Sequence, residues 1–593
     1  MANPTTFSYR SGSFLLQNRD VDGLFTPEDL TEEQRLLRQS IRDFIQQNIE
    51  PHYRDFDSKK GIERGPALLE KMGELGFLGI GVPEAYGGFE ADFRTQLAFG
   101  EIAYASWSFG LTIGVQTSLG VAPLLLYGNQ KQKDKYLPGI VSAQRKSCYC
   151  LTEPTAGSDA NSGKTQAILH ESGKHYILNG QKMWITNSGF ADLFFVFAKI
   201  EDDKNLSCLI VEKDFGGIRL GAEEEKMGIK GSSTRQVFFE DVPVPTENLL
   251  GQRGAGFKIA LNVLNTGRIK MAATVTGTAK KAMGYGVRYA AERQQFGQSL
   301  DSFDAIQGKL AMMCRHVYAM ESMAYRISGQ IDEERHRLIT AGEDPQEAER
   351  RAIASYAMEC AMAKVHNTEA DAWVIDEALQ IHGGMGYSAE TPIETMYRNQ
   401  RINRIYEGTN EINRMLSIDM LLRKAMKGEL DLLPAAQAAR DQVLSGSTAQ
   451  LVSPDSPESQ FLHQARQLTL SILAIIGERM LSTFKNEQQL MLSLSDVFTQ
   501  IFALESVVLR TQKHATHQRE LRQALTRLQA VHSARIIYQS LREIIPHIAQ
   551  HKEIDTLRTA LAHLDRIVPF NPIELRRAVA AAVREAGGYP FAH

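Results

Sequence analysis

With 593 residues, 43% of them hydrophobic and 23% charged, the chain has the composition of an ordinary globular protein, with length for about four domains. A formal charge of -4 and the absence of basic runs give no reason to expect a nucleic-acid partner. Five scattered cysteines (Cys148, Cys150, Cys208, Cys314 and Cys360) argue against a disulfide framework and point to a reducing compartment.

Met1 to Arg19 carries no sustained apolar segment and little arginine, so neither a secretory signal nor a mitochondrial presequence is expected. No run approaches the length of a membrane span, and a cytoplasmic location is the default. Residues 1–28 read as an extended arm. Thr31 with Gln34 forms a capping box, followed by Leu37, Ile41, Phe44, Ile45 and Ile49 at helical spacing. A second helix is expected over about Ala67–Leu75, ending at Gly76. Gly79-Ile-Gly81-Val-Pro83 reads as a turn, because Pro83 and a missing third glycine spoil any dinucleotide fingerprint. The helical pattern resumes from Arg94 to Leu137. Residues 29–146 are therefore all helical.

From about Lys146 the period becomes that of strands: Ser147–Leu151, Gln166–His170, His175–Leu178, Leu193–Ile200, Ser207–Val211 and Gln236–Glu240. A small antiparallel sandwich or barrel over 147–250 is predicted. Cys148 and Cys150 share one face of a strand and read as core rather than as metal ligands. Gly157…Gly163-Lys-Thr165 lies between strands with the wrong spacing for a phosphate loop. Helices return over 251–427 as a bundle. Residues 428–460, broken by Leu444-Ser-Gly-Ser-Thr and Val452-Ser-Pro-Asp-Ser-Pro457, read as a linker or mobile loop. Residues 461–593 read as a helical extension, with Leu521, Leu525, Leu528, Val531, Tyr538, Leu541 and Ile545 as one apolar stripe. That stripe reads as core or a subunit contact, with a membrane surface the minority reading. His514 and His517 read as surface residues, and no metal is expected.

One stretch stands out chemically. Arg404-Ile-Tyr-Glu407-Gly-Thr-Asn-Glu411 puts a carboxylate beside a glycine turn, late in the bundle and after Gln380-Ile-His-Gly-Gly-Met-Gly386. Alone, Glu407 would be a solvated residue opening the next helix, capped by Thr409-Asn410.

Four blocks in order change that reading: Tyr149-Cys-Leu-Thr-Glu-Pro-Thr-Ala-Gly-Ser158-Asp; Asn179-Gly-Gln-Lys-Met-Trp184-Ile-Thr186-Asn; Glu292-Arg293-Gln-Gln-Phe296-Gly; and Gln380-Ile-His-Gly-Gly384 with Glu407-Gly-Thr. They resemble the acyl-CoA dehydrogenase family over residues 30–425, and the last helices resemble those of its very-long-chain branch. The resemblance implies an N-terminal α domain, a small β domain and a C-terminal α bundle, plus the helical extension. It implies FAD-dependent oxidation of an acyl-CoA to the trans-2-enoyl-CoA within fatty acid β-oxidation, with Glu407 as the base that takes the α-proton. Tyr149, Leu151, Thr152 and Ser158 would lie beside the flavin, with Trp184 and Thr186 flanking its ring. Arg293 and Phe296 would reach the FAD of a neighbouring subunit, and Gln380, Gly383 and Gly384 would lie along the same dinucleotide. Thr409 and Glu411 would complete its adenosine end. Ser158, Asn265, Arg268 and Tyr406 would contact the CoA thioester, and Gly408 would let the substrate approach the turn. The backbone N–H of Glu407 would donate to the thioester oxygen.

A homodimer and an electron-transfer flavoprotein as acceptor are also implied. His382, Gln295 and Glu411 depart from the family's usual residues. The apolar or small helix floor of Leu111, Gly114, Val115 and Gly120, together with the extension, favours long acyl chains. Competing readings are an oxidase using O2, a DNA-associated flavoprotein of the same fold and a scaffold without turnover. The near balance of charges beyond Asp441 disfavours the second, and the intact Glu407 the third.

Overall fold

The computed structural model describes residues 9–445 and 456–591. Residues 9–28 form an arm with short helical turns at Ser13–Leu15 and Pro27–Asp29. Its Phe14 is buried against Phe502 of the extension, the ring centroids 5.2 Å apart. The N-terminal unit holds α1 (Glu32–Asn48), α2 (Lys59–Glu74), α3 (Phe93–Ala103), α4 (Trp107–Gly114), α5 (Ala122–Tyr127) and α6 (Gln130–Val141). The Thr31–Gln34 capping box is present at α1. Helix α2 starts earlier than expected because Ser58 caps it, and it runs through Pro66 at the cost of one internal hydrogen bond. Between α4 and α5, Val115–Leu119 forms a wider π-helical turn, a feature frequent at functional sites.

The β domain comprises β1 (Ser147–Cys150), β2 (Gln166–Leu169), β3 (His175–Thr186), β4 (Leu193–Ile200), β5 (Ser207–Glu212), β6 (Ile218–Glu223), β7 (Thr234–Pro245) and β8 (Leu249–Leu250). The sheet order is β6-β7-β3-β2-β4-β5-β8, with β1 beside β4. The expected antiparallel arrangement needs correction, since β1 and β2 both run parallel to β4. Strand β6, with its mixed Ile-Arg-Leu-Gly-Ala-Glu sequence, carried too little apolar signal to be read as a strand. Strand β3 continues past Leu178 to Thr186 with a register shift between Lys182 and Ile185. Cys148 and Cys150 are buried with their sulfurs 3.7 Å apart.

The bundle follows: α7 (Gly256–Glu292), a hairpin of β9 (Gln294–Gln295) and β10 (Gln298–Ser299), α8 (Asp304–Thr340), α9 (Pro345–Ser355), α10 (Ala357–His382), α11 (Gly384–Tyr387), α12 (Pro392–Gln400) and α13 (Asn410–Met426). The supposed linker begins instead with α14 (Leu432–Leu444), which buries Leu432, Ala436 and Ala439. Its apolar positions lie three and four residues apart, a helical spacing that the nearby Ser/Pro content masked. Residues 446–455 of that stretch lie outside the described residues, as do residues 1–8 of the arm. The extension contains α15 (Pro457–Arg479), α16 (Gln488–Lys513), α17 (Arg519–Ile548), α18 (His551–Arg566) and α19 (Pro572–Ala586). Leu525, Leu528, Leu541 and Ile545 of the predicted stripe are buried in α17.

Two helical stretches, Trp107–Tyr127 and Gln488–Lys513, are long and apolar enough to cross a membrane, contrary to the expectation of none; both are mostly buried within the protein. Among the described residues no cluster suits a metal ion. His514 is not a free surface residue: its Nε2 lies 2.8 Å from Thr26 Oγ1 and 3.7 Å from Glu28.

Buried charge ties the extension to the bundle. Glu505 of α16 receives Arg326 of α8 at 2.6 Å and Arg466 of α15 at 2.5 Å, all three nearly inaccessible. Tyr9 of the arm donates to the same carboxylate at 3.2 Å. Nearby, Arg510 meets Glu321 of α8 at 2.7 Å, both side chains fully buried. Glu505→Ala would strand two guanidinium groups without a carboxylate, so we expect a loss of about 3–5 kcal/mol. A clear fall in the thermal midpoint checks this, and an unchanged midpoint would contradict it.

Candidate active site

Helix α10 ends at His382, and the chain returns through α12 and the turn Arg401–Arg404 to Glu407 and Gly408. Both residues adopt left-handed backbone angles, φ +59° and +80°. For a glutamate that conformation is strained and persists only where the surroundings impose it. Here they do. Arg268 Nε of α7 donates to the Glu407 carbonyl at 3.1 Å. Lys364 Nζ of α10 donates to the Gly408 carbonyl at 2.9 Å and to Asn410 Oδ1 at 2.8 Å. Asn413 Nδ2 adds a 2.7 Å bond to Gly408 O, and Thr409 caps α13 by accepting from Ile412 N–H. Among the described residues the Glu407 N–H has no backbone acceptor, leaving it able to donate elsewhere.

The side chain points at α7. A Cβ added to Gly267 would lie 2.6 Å from Glu407 Oε2, so only glycine leaves room for this carboxylate. Although the residue as a whole is partly exposed, Oε2 is sealed from water and has no hydrogen-bond partner. Burial pushes the Glu407 pKa up to about 7, partly opposed by the Arg268 and Lys364 cations. Burial likewise pulls Lys364 down to about 7. This group is a carboxylate tuned towards neutrality.

Glu407 opens onto a cavity of about 160 Å³ between α4, the π-helical turn and α7. Tyr406 and Thr186 flank its upper end, and Gly110, Leu111 and Gly114 form one wall. Along α7 the opposite wall is Gly267, Met271, Thr274, Thr278 and Lys281, a single helical face. It spans about 21 Å at 1.5 Å per residue. Tyr406 is fixed by donating to Asn403 Oδ1 at 2.7 Å. Val115 also lines the cavity, but Gly120 does not; a Cβ there would strike Ser147 Oγ at 2.2 Å.

Beside the cavity lies a set of aromatic and polar groups. The Tyr149 ring packs 4.9 Å from Phe197, while its hydroxyl is buried without a partner. Trp184, at the β3 register shift with φ +56°, turns its indole outward and is 59% exposed. Such bulges re-aim side chains next to active sites. Thr152 O accepts the Met183 N–H at 2.9 Å, and Leu151 O accepts Lys182 Nζ at 3.1 Å, fixing the loop beside the indole. Ser158 is exposed on that loop. An orphaned phenol, an exposed indole and the half-buried Thr186 fit a planar ring with hydrogen-bonding edges.

Of the expected residues, the structure gathers Glu407, Tyr406 and Thr186 at one cavity. Asn265 and Arg268 are buried and joined to each other at 2.7 Å, so they act on the Glu407 turn instead of standing open to a ligand. Arg293, Phe296, Gln380, Gly383 and Gly384 line no part of this cavity. They are exposed on the β9–β10 hairpin and at the end of α10, Phe296 by 94%. A Cβ on Gly383 or Gly384 would meet nothing within 4 Å. Glu411 is exposed in the first turn of α13, its carboxyl held below the usual range by its own backbone N–H and the Thr409 hydroxyl. His382 is accommodated by stacking on Tyr289 at 4.3 Å and bonding Ala378 O at 2.7 Å.

Gly267, Lys364, Asn403 and Asn413 were not singled out by sequence. Gly267 carried a signal, a glycine inside a helical pattern. Lys364 carried none. Gly267→Ala should displace the carboxylate and lower kcat by about 10²-fold, the usual cost of misplacing a reacting group by an ångström. Steady-state turnover on cofactor-replete protein checks this, and near-wild-type turnover would count against the contact.

The α–β–α architecture places a buried carboxylate over a narrow, largely apolar slot. Family models described as acyl-CoA dehydrogenase N-terminal, middle and C-terminal domains match residues 31–144, 148–242 and 254–422; a second C-terminal domain model matches 464–566. A probable acyl-CoA dehydrogenase of Bacillus subtilis is 38% identical, over 99% of this chain and 100% of the relative. The mitochondrial very long-chain specific acyl-CoA dehydrogenase of Macaca fascicularis is 33% identical, over 93% of this chain and 88% of the relative. An acyl-CoA dehydrogenase from Bacillus anthracis, solved in complex with FAD, superposes with a TM-score of 0.94 at 38% identity, covering 98% of this chain and 100% of the other. The chain belongs to the acyl-CoA dehydrogenase family, oxidoreductases acting on acyl-CoA thioesters.

Proposed function

We propose that this enzyme oxidises long-chain fatty acyl-CoA to the trans-2-enoyl-CoA, with Glu407 as the base that removes the α-proton. The observation that carries the assignment is the solvent-sealed, partnerless Glu407 oxygen at the head of the slot. A carboxylate with its pKa near 7 is a stronger base than an ordinary glutamate and is ionised in about half of the molecules at neutral pH. The unengaged Glu407 N–H is the group to donate to the thioester oxygen, stabilising the negative charge that develops as the proton leaves. Arg268, Lys364 and Asn413 hold that backbone in place, and Tyr406 walls the reacting carbons.

The cofactor is FAD, which when bound supplies the acceptor for the β-hydride. Tyr149, Leu151, Thr152, Ser158, Trp184 and Thr186 are the residues to hold its ring. Thr409 and Glu411 suit the adenosine end. The exposed Arg293, Phe296, Gln380, Gly383 and Gly384 suit the dinucleotide of a second copy, which supports a homodimer. An electron-transfer flavoprotein is the acceptor that the family resemblance favours; rapid reoxidation of the reduced flavin by air would favour an oxidase instead.

The chain-length reading rests on the slot. Its α7 wall, about 21 Å long, is comparable to an extended palmitoyl chain, whose entry would have to widen the cavity of about 160 Å³, and Gly114 leaves the floor open, since a Cβ there would meet only Tyr104 Cδ1 at 3.9 Å. Anaerobic bleaching of the flavin spectrum should be rapid with palmitoyl-CoA and weak with butyryl-CoA. Bleaching by the short thioester alone would overturn the chain-length reading and leave the enzyme class intact. Glu407→Gln should lower kcat by about 10²–10⁴-fold, the usual contribution of a general base. In the wild type, kcat/KM should rise with pH through about 7 and level above it, because the base acts as the carboxylate and burial has raised its pKa. A pH–rate profile without that acid limb would count against Glu407 as base.

A further inference from the structure

The blind end of the acyl slot is made of charge. Lys281, the last slot-lining residue of α7, places its ammonium 4.0 Å from the centroid of the Trp107 indole, which lines the slot at the start of α4. The same ammonium donates to Glu50 Oε1 at 2.6 Å, and Trp107 Nε1 donates to Glu50 Oε2 at 3.1 Å. One carboxylate therefore fixes both the cation and the ring. Tyr53 packs against the indole at 5.1 Å. Trp107 takes a left-handed backbone angle, φ +54°, a strained conformation for so large a residue.

This group lies between the slot and solvent. The Lys281 and Glu50 side chains keep 20% and 29% of their exposure, whereas Trp107 on the inner side is 9% exposed. An acyl terminus that reached this wall would meet the indole face, which it can pack against. To go further it would have to bury an ion pair under hydrocarbon, which removes water from charged groups and returns no hydrogen bond. The alternative is to displace the pair outward, which would break the bonds Glu50 makes to Lys281 and to the Trp107 indole.

We propose that Glu50, Lys281 and Trp107 form a plug that sets the upper limit of acyl-chain length, with Lys281 and Glu50 as positioning residues that hold the Trp107 indole across the slot. This rests on the long-chain reading above. Removing the ion pair frees the indole and opens the slot to the surface. Chains longer than the slot then gain most, while chains that end inside it gain nothing from the opening.

The test compares kcat/KM for docosanoyl-CoA and palmitoyl-CoA in the wild type, Lys281→Ala and Glu50→Ala, each checked for flavin content and thermal midpoint. The docosanoyl-to-palmitoyl ratio should rise at least ~10-fold in both variants, the discrimination that even one methylene contact can provide in an apolar pocket. A merely structural role would lower both substrates together and leave the ratio unchanged, which would overturn the plug. Should the variants fail to fold, the wild type still decides. Palmitoyl-CoA carrying a terminal diazirine should photolabel Trp107 or Lys281, and labelling confined to other residues would overturn the proposal. A wild type that turned over no palmitoyl-CoA would instead overturn the chain-length reading, and the plug with it.

Discussion

The site depends on one close contact: the Glu407 carboxylate against the bare backbone of α7 at Gly267. A carboxyl group can occupy that position only if the helix offers no side chain there and the turn bearing the glutamate is forced into a left-handed conformation. The first condition is met by a glycine at the point of contact. The second is met by Arg268, Lys364 and Asn413, which bond to the carbonyls of Glu407 and Gly408 and leave the carboxylate itself unpaired. The cations near Glu407 are thus spent mainly on backbone. Close enough to favour ionisation, they do not bond to the carboxylate itself.

The same division between backbone support and a free reactive group recurs around the slot. Asn265 holds Arg268, Asn403 holds Tyr406, and the loop carbonyls of Leu151 and Thr152 are taken by Lys182 and Met183. Among the buried groups left without hydrogen-bond partners are Tyr149 Oη and Glu407 Oε2, close to the exposed Trp184 indole. In a folded core such orphans cost stability. Here they mark the surface that ligands complete.

The extension is held by a different principle. Its apolar stripe packs in the ordinary way, but its registration on the bundle is set by buried ion pairs, Glu505 with two arginines and Glu321 with Arg510. Buried pairs add little net stability over apolar contacts, yet they penalise any misplacement strongly because one partner would be left alone. The arm joins the same system through Tyr9 and Glu28, so first and last segments are positioned together.

By itself the sequence determined the order of helical and strand regions, the cap at Thr31, most strands with alternating or continuous apolar runs, and the identity of Glu407 and Trp184 as residues of interest. Those features are local: periodicity, capping and motif spacing are written in neighbouring residues. Only the tertiary structure decided that two strands run parallel to β4, that α14 stands where a loop was expected, and that Arg268 serves the turn. It alone revealed Gly267 and Lys364 beside Glu407 and Lys281 among the residues lining the slot. These depend on which helices lie side by side, and a glycine or lysine at an ordinary helical position carries no mark of what it will face once the chain has folded.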